Sequence, residues 1–171
     1  MTAGRKSTYN KTDWNTPKKY VRAVLDVFGE IDLDPCSNIE SIVPAKIKYI
    51  LPKDGLKEQW NHKRIYVNPP FGRGLNKTTI YDWISRCYLS SKNGSDVVSL
   101  IPVATNTRHW KDFVFKSNII CFLSDTRLRF RINGSENNKG ASMACAMVYW
   151  GGDKLKFKNV FDAYGFCVEI K

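Results

Sequence analysis

The stretch Ile65-Tyr66-Val67-Asn68-Pro69-Pro70-Phe71-Gly72 sets an amide, two prolines and an aromatic ring directly after an apolar run. Proline has no N–H to give a sheet ladder, so a strand ending at Val67 must stop there. The first proline also holds Asn68 extended. The product is a stiff loop at a strand's carboxyl end, carrying a side-chain carbonyl, free backbone carbonyls and a ring face. Such a loop suits a planar group that bears an NH2. An exocyclic amine is a poor nucleophile because its lone pair is delocalised into the ring. Asn68 Oδ1 and the Pro69 carbonyl can each accept one N–H, which draws the nitrogen toward tetrahedral geometry. Pro70 stiffens the loop, and Phe71 can stack on a base taken out of its duplex. The chemistry asks for positioning of the amine against an activated methyl group rather than for a strong base. The plainer alternative is a strand followed by a Pro-Pro turn.

The elements around this loop follow from periodicity. Thr16-Pro17 reads as the cap and first position of a helix. Tyr20, Val21, Val24, Leu25 and Phe28 follow at helical spacing, and Gly29 closes it. Glu30 to Asp34 reads as a short strand ending in a loop, Asp34-Pro35-Cys36-Ser37, although Asp-Pro is also a common turn opener. Lys46 to Leu51 reads as another strand, with a turn at Pro52-Lys53-Asp54-Gly55. Asp54 is a candidate for holding an amine or a ribose, or is simply an exposed turn residue. Only 34 residues separate Asp34 from Asn68, so this part of the fold is expected to be trimmed.

After the loop come a basic segment, Gly72 to Lys77, and a helix over roughly Thr78 to Lys92. Val97 to Val103 has the near-continuous apolar pattern of a buried parallel strand. A helix over Thr107 to Lys116 and a buried strand over Asn118 to Leu123 complete an alternation of strands and helices. That alternation predicts an α/β fold, a mainly parallel sheet in three layers. Arg127-Leu128-Arg129-Phe130-Arg131, a polar loop to Gly140 and a strand over Ala141 to Trp150 predict a closing antiparallel hairpin. Lys154, Lys156 and Lys158 alternate with Leu155 and Phe157, which reads as a basic edge strand or tail. Residues 1 to 13 read as a flexible basic lead-in, and residues 14 to 171 as a single domain.

Net charge is +11 on 171 residues, a balance that favours a polyanionic partner. Arg73, Arg127, Arg129, Arg131 and Lys139 are the candidate phosphate contacts; a solvated hairpin face is the alternative. No apolar run approaches the roughly 20 residues of a membrane span, and the polar N-terminus has no signal core, so a cytoplasmic location is expected. The five cysteines form no C-x-x-C pair and the two histidines are isolated, so neither a metal site nor a histidine-centred triad is expected.

Asn68-Pro69-Pro70-Phe71 resembles the catalytic motif of amino-methyltransferases that use S-adenosylmethionine. The ordered series Trp14-Asn15-Thr16-Pro17, Ile31 to Asn38, Asp54-Gly55-Leu56 with Trp60, the Asn-Pro-Pro-Phe segment, and Ile101-Pro102-Val103 with Trp110 resembles the small phage-encoded DNA N6-adenine methyltransferases of the Dam type. The resemblance implies a Rossmann-like class I methyltransferase fold, double-stranded DNA as partner, and S-adenosylmethionine held by Thr16, Pro17, Asp34, Pro35, Cys36, Ser37 and Asp54. The usual G-x-G of the first loop is missing, with Asn38 where a glycine is expected. The resemblance also implies a GATC target and protection of phage DNA from host restriction. Methylation of RNA adenine or protein glutamine, or binding of nucleic acid without catalysis, are the alternative readings.

Overall fold

The computed structural model describes residues 14–73, 77–136 and 140–171; the lead-in and Lys139 lie outside the described residues. The chain order is α1 (Lys18–Phe28), β1 (Ile31–Ser37), β2 (Ala45–Ile50), β3 (Arg64–Val67), α2 (Ile80–Lys92), β4 (Asp96–Pro102) and α3 (Arg108–Asp112), followed by a 3₁₀ turn (Val114–Lys116). Then come β5 (Ile119–Leu123), β6 (Arg131–Ile132), β7 (Ser135–Glu136), β8 (Cys145–Trp150), α4 (Lys154–Phe161) and β9 (Gly165–Glu169). One seven-stranded sheet has the order β2-β1-β3-β4-β8-β5-β9.

Helices cover both faces of this sheet. On one face Tyr20 and Val24 of α1 and Phe157 and Phe161 of α4 pack with Met147 and Tyr149 of β8. On the other, Trp83 and Ile84 of α2 and Trp110 of α3 pack with Leu33, Ile65 and Val148. The alternation of β8 residues between the two clusters is the period of two that a strand imposes. The three expected layers are present, and the arrangement is that of a mixed α/β, methyltransferase-like fold.

The sheet is less parallel than expected. The pairings β1–β2, β1–β3 and β3–β4 are parallel, whereas β4–β8, β5–β8 and β5–β9 are antiparallel. The expected closing hairpin does not form. Instead β8 inserts between β4 and β5, while β6 and β7 make a separate two-stranded ribbon. Its turn, Asn133-Gly134, has φ of 51° and 75°, the left-handed pair that Asn-Gly favours.

The C-terminal expectation also changes. Lys154 to Phe161 is a helix, and only Gly165–Glu169 is the edge strand. The Asp153 side chain accepts from the Lys156 N–H as an N-cap, and Phe157 and Phe161 share one buried face. The helix expected over Thr107 to Lys116 breaks at Phe113, whose φ of −133° ends α3.

At one end of the sheet an ion-pair network ties the starts of β1, β2 and β3. Arg64 Nε lies 2.9 Å from Asp32 Oδ2, and Lys46 bridges Asp32 and Glu30. The hydrogen bond from Arg64 holds the Asp32 carboxyl down at about 2. The opposite end, where the parallel strands finish, carries a cavity.

Candidate active site

Parallel strands present their carboxyl ends on one edge, the usual place for a ligand in such a sheet. β1 and β3 are parallel neighbours, with Leu33 beside Ile65. Asp34 to Ser37 and Asn68 therefore arrive at the same edge. A cavity of about 430 Å³ opens there, within the range of small-molecule sites. Its wall brings together Thr16, Asp34, Pro35, Cys36, Ser37, Asp54, Asn68, Pro69 and Pro70.

Pro35 shapes the first part of this wall. β1 runs on through Ser37 rather than ending at Asp34, but its register with β2 slips between Asp34 and Ser37. Proline cannot supply the missing ladder bond. The slip leaves the Cys36 N–H free to donate to Asp34 Oδ1 at 3.1 Å. Asp34 is 3% exposed, and no ion-pair partner lies within 4 Å among the described residues. Burial pushes its carboxyl up to about 6, against the opposing pull of the Cys36 N–H.

Gly55 presses the neighbouring turn onto that wall. A Cβ there would stand 1.8 Å from the Pro35 carbonyl oxygen. Trp60 Nε1 donates to the Gly55 carbonyl at 2.8 Å and locks the turn from behind. Asp54 is half-buried, and its Oδ1 accepts the Leu56 N–H at 3.1 Å, an Asx turn that faces its carboxylate toward the cavity.

Asn68 sits immediately past β3. Its Nδ2 donates to the Trp14 carbonyl at 2.7 Å. A carbonyl only accepts, so the amide nitrogen must face Trp14 and Oδ1 must turn the other way. Ser99 Oγ donates to the Val67 carbonyl at 3.0 Å and steadies the strand end that carries Asn68.

Thr16 is not a helix cap. Pro17 occupies that position, with ψ of 145°, and Thr16 Oγ1 lies 2.7 Å from the Tyr66 hydroxyl instead. Pro17 is buried but is not part of the cavity wall. Tyr66 is a wall residue that the sequence reading passed over. Burial holds its hydroxyl far above the ordinary tyrosine range, so it stays protonated and neutral. A polar aromatic inside an apolar strand, two residues before Asn68, was the available signal.

Phe71 does not line the cavity. Its ring packs edge-on against Trp14 at 6.3 Å and Phe130 at 5.5 Å, while Trp14 stacks on Phe130 at 5.1 Å. Arg73, Arg127 and Arg129 are exposed, and Leu128 and Phe130 between them are buried. Arg131 differs from its neighbours. It is half-buried, its guanidinium donates to the Gly134 carbonyl, and its backbone pairs with Asn15.

Trp14 Nε1 and Ser37 Oγ, both on the cavity wall, are buried without a hydrogen-bond partner among the described residues. Among the described residues no cluster of His, Cys, Asp or Glu could hold a metal ion, and no helix is long and apolar enough to cross a membrane.

A family model, DNA N-6-adenine-methyltransferase (Dam), matches residues 5–156. The chain belongs to this family. The match covers every wall residue of the cavity and stops within α4, so the Dam-type region carries the whole candidate site. Searches among curated proteins and among solved structures returned no match. Membership makes the activity of this Dam-family chain that of a DNA adenine methyltransferase.

Proposed function

We propose that the protein transfers a methyl group from S-adenosylmethionine to N6 of adenine in double-stranded DNA, with Asn68 and Pro69 as the catalytic pair. The observation that carries this reading is the Asn68–Trp14 hydrogen bond. It commits the amide nitrogen and leaves Oδ1 as the group offered to an incoming amine.

The cavity's donor set fits the cofactor. Asp34 is a buried carboxylate with no ion pair within 4 Å among the described residues, so an ammonium or sulfonium group would relieve its desolvation. Thr16 and Ser37 offer hydroxyls, Asp54 a carboxylate for ribose or an amine, and Ile39, Val43, Ile50 and Leu51 an apolar wall for a purine. S-adenosylmethionine, when bound, supplies a methyl group activated by its sulfonium.

The chain's own part is positioning. Asn68 Oδ1 and the Pro69 carbonyl accept the two amine hydrogens and free the nitrogen lone pair from the ring. Pro70 fixes the backbone between them and Phe71. Phe71 supplies the edge of an aromatic platform on which the extruded base rests. Exposed Arg73, Arg127 and Arg129 would meet phosphates beside the cavity, and Lys139 is a further candidate contact. Excess positive charge supports a polyanionic substrate and argues against a protein one.

The test is methyl transfer itself. Purified protein, labelled S-adenosylmethionine and unmethylated duplex DNA should yield N6-methyladenine after digestion to nucleosides. Label in RNA or protein alone, or on cytosine, would overturn the substrate assignment, and no label anywhere would leave a binding module.

A further inference from the structure

We propose that Trp14 and Phe130 are positioning residues, and that the Arg127–Arg131 segment holds the Asn68 amide in its working orientation through them. The proposal deepens the reading above and rests on it.

The hydrogen bond that orients Asn68 ends on a backbone carbonyl, so its accuracy depends on where residue 14 is held. No helix or sheet strand contains Trp14. Two other contacts fix it. Asn15 and Arg131 exchange backbone hydrogen bonds of 2.9 and 2.8 Å, an isolated antiparallel bridge across 116 residues. The Trp14 ring stacks on Phe130 at 5.1 Å with an interplanar angle of 25°. Phe71, three residues after Asn68, closes the group edge-on to both rings. Backbone and ring together clamp the Trp14 carbonyl between the catalytic loop and the segment leading into β6, in which Arg127 and Arg129 are exposed.

The clamp carries a cost. Trp14 Nε1 and Arg131 Nε are both buried without a partner among the described residues. Buried donors left unsatisfied weaken a fold.

The experiment uses the full chain with Phe130→Leu, which keeps most of the buried volume and removes the ring. The side-chain amide of Asn68, observed by asparagine-selective nitrogen-15 labelling, and steady-state methyl transfer are read together. Phe130→Leu should lower kcat about 10²-fold, as an ångström-scale misplacement does. KM for DNA and the dissociation constant for S-adenosylmethionine should stay within about threefold. The hydrogen-bonded Asn68 amide proton should lose its shifted resonance. Phe130→Tyr should restore both. Phe157→Leu, the same change outside the segment, is the stability control: Phe157 is fully buried and its ring stacks on Tyr149 and Phe161 rather than on Trp14. It should lower the melting temperature while keeping kcat and the amide resonance. An equal loss of kcat in Phe157→Leu, or an unchanged Asn68 amide in Phe130→Leu, would overturn the proposal. If the wild type methylates no DNA, the functional reading fails instead, and the amide resonance still decides the clamp.

Discussion

The side-chain amide of Asn68 donates to the main-chain carbonyl of Trp14 at 2.7 Å, joining residues 54 positions apart in the chain. This contact turns a freely rotating amide into a fixed acceptor. Asn68→Asp should therefore not be a silent isosteric change. The carboxylate would place an oxygen against the Trp14 carbonyl, and two acceptors repel. The side chain must rotate away or bind a proton. Transfer, measured as kcat/KM on duplex DNA, should fall by about 10²-fold or more, while S-adenosylmethionine affinity changes little. Asn68→Ala should abolish transfer with the same retention of cofactor binding. Full activity in the alanine variant would remove Asn68 from the mechanism.

Gly55 offers a test of the cavity that does not touch the amine. Its Cβ would meet the Pro35 carbonyl oxygen at 1.8 Å, and that atom is backbone. Gly55→Ala must push the 54–56 turn away from β1. The displaced turn carries Asp54 and the wall toward Trp83. We expect S-adenosylmethionine binding, by calorimetry, to weaken 10-fold or more, with a stability loss of about 1–3 kcal/mol. Gly94, whose Cβ would meet nothing within 4 Å but whose φ is 94°, is the comparison: alanine there should cost stability and spare binding.

Much of the cavity was legible because its residues sit where strands must stop. Pro69 and Pro70 announce the end of β3 and Pro35 breaks the ladder of β1 near its end, so Asp34 and Asn68 could be placed on one edge from sequence alone. The trimmed stretch between them was legible from its length. The Asn15–Arg131 bridge was not, because it pairs two short segments with no strand pattern at Asn15. The insertion of β8 between β4 and β5 is likewise a long-range pairing that local periodicity does not encode. At the C-terminus the alternation of lysine with Leu155 and Phe157 suggested a strand. Leu155 is in fact 68% exposed, and the i,i+4 pair Phe157 and Phe161 was the stronger signal. Thr-Pro commonly supplies a helix's cap and first residue, yet the Thr16 hydroxyl finds the Tyr66 hydroxyl instead.

The exposed arginines lend themselves to a salt titration. Arg127 and Arg129 stand on the solvent side of a segment whose other side, Leu128 and Phe130, is buried. Removing either charge should weaken binding to all duplex sequences alike and lower the slope of log affinity against log salt by about 1. Arg131→Ala should behave differently. Its guanidinium is tied to the Gly134 carbonyl and its Nε is buried. It should shift the melting temperature more than the salt slope. Anisotropy of a labelled duplex at several salt concentrations separates the two patterns.

Asp34 yields a prediction with a sign. Burial holds its carboxyl at about 6 against an ordinary 3.8. Between these values the folded chain keeps a proton that the unfolded chain has released. Stability therefore falls as pH rises through about 4 to 6, and stays at the lower level above 6. Asp34→Asn keeps an Oδ1 to accept the Cys36 N–H and removes the charge. The free variant should be more stable than wild type at pH 7.5, by on the order of 1–3 kcal/mol, and equal to it near pH 4. A bound cationic ligand reverses the balance, because its charge favours the ionised carboxylate. S-adenosylmethionine should therefore bind the wild type more tightly at pH 8 than at pH 5. It should bind Asp34→Asn at least 10-fold more weakly than wild type at pH 8, with little dependence on pH. Thermal melts with and without the cofactor at the two pH values measure both effects. A variant less stable than wild type at pH 7.5 would show that the carboxylate serves the fold rather than the ligand.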